Sequence, residues 1–249
     1  MNNCKNCETE LRGQFCEACG QRMNKGRIFF SDLFDEAFNR LVSLDTPLAR
    51  TIKTAFLKPG VLAHEYVSGR RIAFYPPIKF YLFSFAIVLI VKTLFDFDPV
   101  ENQMRLSGQS APPPGQPHIS VRAGQFASEH MNFFTIFLIL IFSACSRLFY
   151  WPRKFNYTEH FTFALFVVSL YVLVTAFLIP LSAIHPALYY LYIFMILVHM
   201  PMALMQFNQK SGVLQAVQAL VLSLVSYVVF IAVVFACIFF YLAVLSGTL

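Results

Sequence analysis

Charge is what this sequence has least of. Only 13% of its 249 residues are Asp, Glu, Lys or Arg, about half of the roughly 25% usual in a soluble domain. Against that deficit stand 57% hydrophobic residues and 29 phenylalanines, more apolar surface than one aqueous core of this length can hide. A soluble enzyme, a disordered chain and a secreted disulfide scaffold are therefore excluded. No apolar run precedes a small-residue cleavage site near the N-terminus, so the sequence predicts no signal peptide and leaves insertion to the first membrane helix. There is no internal repeat of the solenoid kind, and no P-loop, nucleophile elbow, kinase signature or H-E-x-x-H pair. What is present reads as an all-α polytopic membrane protein with a small N-terminal head.

The few charges are concentrated. Residues 1–77 hold 11 Lys/Arg and 8 Asp/Glu, an ordinary soluble density, whereas residues 131–249 hold only Arg147, Arg153, Lys154, Glu159 and Lys210. The chain thus divides into a ribbon over 1–23, juxtamembrane helices over 24–77 and a transmembrane bundle over 78–249. A helix needs about 20 apolar residues to cross the hydrocarbon. Five stretches qualify, near 78–95, 131–150, 161–184, 186–207 and 217–245, with four or six as alternatives. The last lies in a run of 33 uncharged residues, 213–245, longer than one span requires, so Gln215 and Gln218 are expected near the interface. Between the first two spans, an outer loop over 96–130 contains SGQSAPPPGQPHIS, a composition that favours extended chain.

Orientation follows from the bias of Lys and Arg among the loops. With the N-terminus inside, sixteen such residues lie on the inner face and three (Lys92, Arg105 and Arg122) on the outer. The head is expected in the cytoplasm.

One motif is specific. Cys4-Lys5-Asn6-Cys7 and Cys16-Glu17-Ala18-Cys19 form C-x2-C-x8-C-x2-C. Each pair, three residues apart in a tight turn, offers two thiolates to one cation, and two such turns complete the tetrahedral set that zinc prefers. Gly20 suits the bend such a turn requires. A rubredoxin-like iron site is the competing metal reading, and a pair of disulfides the non-metal one, disfavoured in the cytoplasm. With four protein ligands there is no open coordination position, so a Zn2+ here is structural and supplies most of the folding free energy of so small a head. Lys5, Arg12 and Arg22 are balanced by Glu8, Glu10 and Glu17. Nucleic-acid binding, which leans on excess cations, is disfavoured.

Between ribbon and bundle, periodicity predicts three short helices. Phe30, Leu33, Phe34, Phe38 and Leu41 share one face after an N-cap at Ser31. Thr46-Pro47 starts a second helix as N-cap and N1, reaching Leu57 before Pro59-Gly60. A third runs from Val61 to Ser68 and ends at Gly69. Nine Lys/Arg against five Asp/Glu from Lys25 to Lys79 attract such helices to anionic headgroups of the bilayer; packing of their apolar faces on the bundle is the alternative. Arg70, Arg71, Tyr75 and Lys79 flank Pro76-Pro77, which force an extended lead-in to the first span. They are candidates for headgroup or partner contact, or anchor the span at the membrane border.

The ribbon pattern Cys4, Cys7, Phe15, Cys16, Cys19, Gly20, Gln21, followed by Tyr66, Gly69, Arg70, Arg71, Tyr75, Pro76, Pro77, Lys79, Phe80 and Tyr81, resembles a family of uncharacterised bacterial membrane proteins known as a domain of unknown function. The likeness covers roughly the first third of the chain. It implies a bacterial inner membrane and a zinc-ribbon head, and brings no activity with it.

Catalytic and transport signals are sparse. His64, Glu65, Glu159 and His160 lie at inner borders and would have to converge to act on a lipid headgroup. His199 is the one ionisable group deep in a span, with Thr175, Ser169 and Gln206 as its expected polar company. The residues therefore point to a non-enzymatic membrane protein in a regulatory, assembly or scaffolding role through a cytoplasmic protein partner or lipid headgroups. A transporter or channel for a small or lipidic substrate comes second, a membrane-embedded lipid-modifying enzyme third.

Overall fold

A computed structural model describes residues 3–10, 13–21, 28–30, 33, 46–108, 119–150 and 155–245. Eight α-helices and one 3-10 turn account for most of them, and among the described residues there is no strand. The helix expected around Phe30, Phe34, Phe38 and Leu41 falls outside the described residues, apart from Phe30 and Leu33.

Proline and glycine set the boundaries. Helix α1, Thr46–Leu57, is separated by Lys58 from α2, Pro59–Ser68. Gly69 closes α2 in the left-handed region at φ 117°, its amide bonded to the Tyr66 carbonyl and that of Arg70 to the Glu65 carbonyl, as a glycine C-cap does. Pro76 caps α3, Pro77–Leu94, with Pro77 at its first position.

The next segment departs from the composition-based expectation of an extended outer loop. Asp98 accepts from the Val100 amide at 2.7 Å and Pro99 presets the first helical residue, so α4 forms over Pro99–Ser107 and stops at Gly108, φ 68°. The proline-rich residues 109–118 lie outside the described residues, and α5 begins at Ile119 and runs to Phe149. Helix α6, Tyr157–Ser182, starts ahead of the predicted span because Asn156 and Glu159 form a reciprocal capping box, which satisfies two otherwise orphaned amides. A 3-10 turn, Pro186–Tyr190, leads into α7, Leu191–Phe207, and α8 occupies Val213–Leu245.

Among the described residues, four helices are long and apolar enough to cross a membrane: Pro77–Leu94, Tyr157–Ser182, Pro186–Phe207 and Val213–Ala243. The apolar part of α5, Phe133–Phe149, is a shorter fifth, close to the five expected. Of their apolar windows, that of α6 is 72% buried while those of α3, α7 and α8 are each 33% buried. Helix α6 is thus the axle, with α3, α5 and α7 laid along it and α8 closing against α5 and α7. An aromatic column joins them. Phe163 of α6 stacks on Phe207 of α7 at 4.6 Å and faces Phe142 of α5 at 5.5 Å. One turn on, Phe166 takes Tyr66 of α2 at 5.3 Å and Phe80 of α3 at 6.4 Å. In lipid, association between helices rests on such packing rather than on expulsion of water.

Helix α2 does not lie free of the bundle; it packs on α7 and α6. Gly60 is the reason it can, since a Cβ there would stand 2.1 Å from the Ala203 carbonyl oxygen and 2.5 Å from the Phe207 nitrogen. At the far end, α4 is fastened to the 3-10 turn. Asn102 Nδ2 donates to the Pro186 carbonyl at 3.1 Å, Phe97 meets Tyr189, and the Tyr190 hydroxyl donates to Gln103.

Candidate metal centre and the basic hinge

The two cysteine turns are built alike. The Glu8 amide bonds the Cys4 carbonyl and the Gly20 amide the Cys16 carbonyl, both at 2.8 Å. The residue after each second cysteine carries a positive φ, 63° at Glu8 and 69° at Gly20, so Glu8 adopts the conformation that its counterpart meets with glycine. An isolated bridge between Asn3 and Glu10 closes the first turn. The result sets four sulfurs face to face, all within 4.8 Å of one another. Cys4 and Cys19 are 3.6 Å apart, Cys7 and Cys16 3.4 Å.

Those distances test the reading. A tetrahedral cation with metal–sulfur bonds of about 2.3 Å requires sulfurs about 3.8 Å apart, which the cluster meets, whereas a disulfide needs about 2.05 Å and all six cysteines are free. The donor set fits one metal ion with no position left over. The sulfurs differ in environment. The Thr9 hydroxyl and amide beside Cys7 hold its thiol down to about 6, while burial pushes that of Cys19 up to about 11.

Gln21, immediately after the second turn, carries the head to the rest of the molecule. Its carbonyl receives the Cys16 amide at 2.8 Å. Its side chain, in a residue only 6% exposed, donates from Nε2 to the Gly69 carbonyl at 2.6 Å and accepts at Oε1 from the Ile72 amide at 3.4 Å. The head is thereby hydrogen-bonded to both sides of Arg70-Arg71. Nothing in the periodicity of the sequence singled out this glutamine; its place beside the C-x-x-C-G pattern was the only signal.

The other candidates fall as follows. Arg70 pairs with Glu65 at 3.4 Å in solvent. Arg71 Nε and Nη2 are buried and, among the described residues, without a hydrogen-bond partner. Tyr75 is held through its amide, which donates to Thr51 Oγ1 at 2.8 Å, and Lys79 is buried in the first turn of α3. These residues share the hinge between α2 and α3, next to the head.

His199 is buried, but its company differs from that expected. Ser169 and Thr175 turn their hydroxyls back to the carbonyls of Leu165 and Tyr171 in their own helix, and Gln206 accepts from the Gly60 amide. Instead, His199 Nε2 lies 3.1 Å from the carbonyls of Ala55 and Phe56 at the end of α1. Because carbonyls only accept, this nitrogen carries the proton. Tyr171, which sequence reasoning missed, stands with its ring 5.8 Å from that of His199. Both Tyr171 Oη and His199 Nδ1 are buried and, among the described residues, without a hydrogen-bond partner.

The border acids and histidines are engaged separately. His64 and His160 both pack on Phe155 and Phe207. However, His64 faces the Phe207 carbonyl and Gln209, and His160 faces Ser146. Glu65 is committed to Arg70, and Glu159 to the capping box.

Residues 45–89 match the model of a family described as a protein of unknown function (DUF3667). The match takes in α1, α2, the hinge and most of α3, and leaves the cysteine head outside it. No curated protein and no solved structure matches the chain.

Proposed function

We propose that this chain is a non-enzymatic protein of the bacterial inner membrane whose cytoplasmic head holds a structural Zn2+. In this reading the head and the basic hinge form one docking unit, for a cytoplasmic protein partner and for anionic headgroups, in a regulatory, assembly or scaffolding role. Residues 1–23 are the ribbon, 24–77 the juxtamembrane unit and 78–249 the bundle. Cys4, Cys7, Cys16 and Cys19 are the ligands. Zinc, which has no redox chemistry of its own, suits a closed four-sulfur site whose task is folding.

The observation that carries the reading is the Gln21 clamp on Gly69 and Ile72. Through it a metal-ordered turn fixes the backbone that presents Arg70 and Arg71. The exposed Arg70 is placed for a partner carboxylate or a phosphate. Arg71, with two guanidinium nitrogens out of water and unpaired among the described residues, gains most from a bound anion, since a desolvated cation without an acceptor is costly. Tyr75, partly buried, and Lys79, buried, lie behind these arginines at the start of the first span. The test is elemental analysis of the purified protein joined to in vivo crosslinking. One zinc per chain is expected, with a set of crosslinked complexes lost both on deletion of residues 1–23 and in Gln21→Ala, the latter retaining its zinc. Iron in place of zinc, or complexes unchanged by the deletion, would overturn it.

A transporter or channel is the second reading, favoured by one observation, the two polar atoms of Tyr171 and His199 that are buried in the bundle and unpartnered among the described residues. His199→Ala abolishing solute flux in reconstituted vesicles would promote it.

A further inference from the structure

The hairpin of α1 and α2 is pinned to the bundle at three levels. Near its base, Thr51 Oγ1 holds the Tyr75 amide, two residues before α3 begins at Pro77. Further along, His199 holds the carbonyls of Ala55 and Phe56. At the turn, Gly60 lies against the backbone of Ala203 and Phe207.

These pins supply two measures of depth. From Thr51, level with the start of α3, to Leu57 is six residues, or about 9 Å of helix. From Phe207, the last residue of α7, back to His199 is eight residues, or about 12 Å. Both place the turn at Leu57 and Lys58 about 10 Å inside the level at which the spans begin. Interfacial amphipathic elements reach about 5–10 Å below the headgroups, the same depth.

The turn is dressed for that position. Phe56 and Leu57 are 54% and 57% exposed at the tip, the Phe56 ring keeping one edge near His199, 6.5 Å between centroids. Arg50, Lys53 and Lys58 are exposed on the same hairpin, and residues 46–60 contain no acid. The long stems of these cations can lie along apolar surface while their heads return to the headgroup layer.

We propose that the α1–α2 hairpin is a re-entrant wedge. Phe56 and Leu57 enter the acyl region of the leaflet, and Arg50, Lys53 and Lys58 bind anionic phospholipid headgroups around them. This deepens the headgroup part of the reading above. It rests on membrane embedding but not on the metal or on which side the head faces.

The test uses the full chain in vesicles of phosphatidylcholine with or without phosphatidylglycerol. With Trp151→Phe removing the single tryptophan, Leu57→Trp reports the tip and Ser68→Trp the exposed opposite end of α2. Acyl-brominated lipid is expected to quench Leu57→Trp severalfold more than Ser68→Trp, with the order reversed for aqueous iodide. Phosphatidylglycerol is expected to increase the tip quenching, and Arg50→Gln with Lys53→Gln and Lys58→Gln to abolish that increase. Iodide quenching of the tip, or a tip shielded from both quenchers as by a docked protein, would overturn the wedge. A phosphatidylglycerol effect that survives the three substitutions would overturn the headgroup assignment. Zinc content and crosslinking in the same preparation report separately on the function proposed above.

Discussion

In the head, Phe15 is more than half exposed while Cys4 and Cys16 are buried; in the bundle, Phe163, Phe166 and Phe207 have no accessible surface at all. The polar groups differ in the same sense. In the head, backbone amides and the Gln21 side chain tie one segment to another. In the bundle, Ser84, Ser223 and Ser226 return their hydroxyls to carbonyls of their own helices, which satisfies them without linking helices. One region is gathered around four clustered sulfurs and the other around aromatic packing on α6. The two are therefore expected to fail independently, joined among the described residues through the hinge.

The largest effect should come from the head. On the proposed metal reading, Cys16→Ser removes one of four ligands from a site that would give a small domain roughly 10 kcal/mol or more of folding free energy. Hydrogen exchange is expected to rise to the unprotected rate at the amides of Cys4, Glu8, Cys16 and Gly20, with no change along α6. A chelator applied to the native protein should reproduce the pattern. Exchange that also rises in α6 would show that the two regions fold as one.

The next tests the bundle alone. In Gly60→Ala the new methyl meets backbone atoms of Ala203 and Phe207, which cannot rotate aside, so α2 must lift from α7. Overpacking of this kind costs about 1–3 kcal/mol, and separation also removes the Gly60–Gln206 hydrogen bond of 3.1 Å. A lower midpoint in detergent-mediated unfolding is expected, with hydrogen exchange in the head unchanged.

What the sequence made legible follows the same division. The cysteine spacing carried the cluster because four ligands in two turns are a local pattern. Helix ends at Leu57 and Ser68 were legible because proline and glycine act on their own neighbours. The start of α6 at Tyr157 was less so, because Glu159 reads as a border acid until its carboxylate is seen on the Asn156 amide. Helix α4 was hidden by composition. Asp98 and Pro99 begin it, yet its glycine- and proline-rich surroundings dominate any window average. Contacts between residues far apart in sequence, Gln21 with Gly69 or His199 with Ala55, leave no periodic trace, and so the partners of His199 could not be read.

The smallest effect sharpens what joins the two regions. At the hinge two links to its neighbours stand side by side, the Gln21 clamp and the ion pair of Arg70 with Glu65. The ion pair spans 3.4 Å and its side chains are 51% and 33% exposed, so water and salt screen it to about 0–1 kcal/mol. Glu65→Gln is therefore expected to leave the unfolding midpoint within error of the native protein and to leave exchange at the Ile72 amide unchanged. A marked rise at Ile72 would mean that charge, not the buried amide of Gln21, holds the hinge. The Glu65 carboxylate would then be acting on the backbone through Arg70, the residue that in the proposed function must stay available to a partner anion.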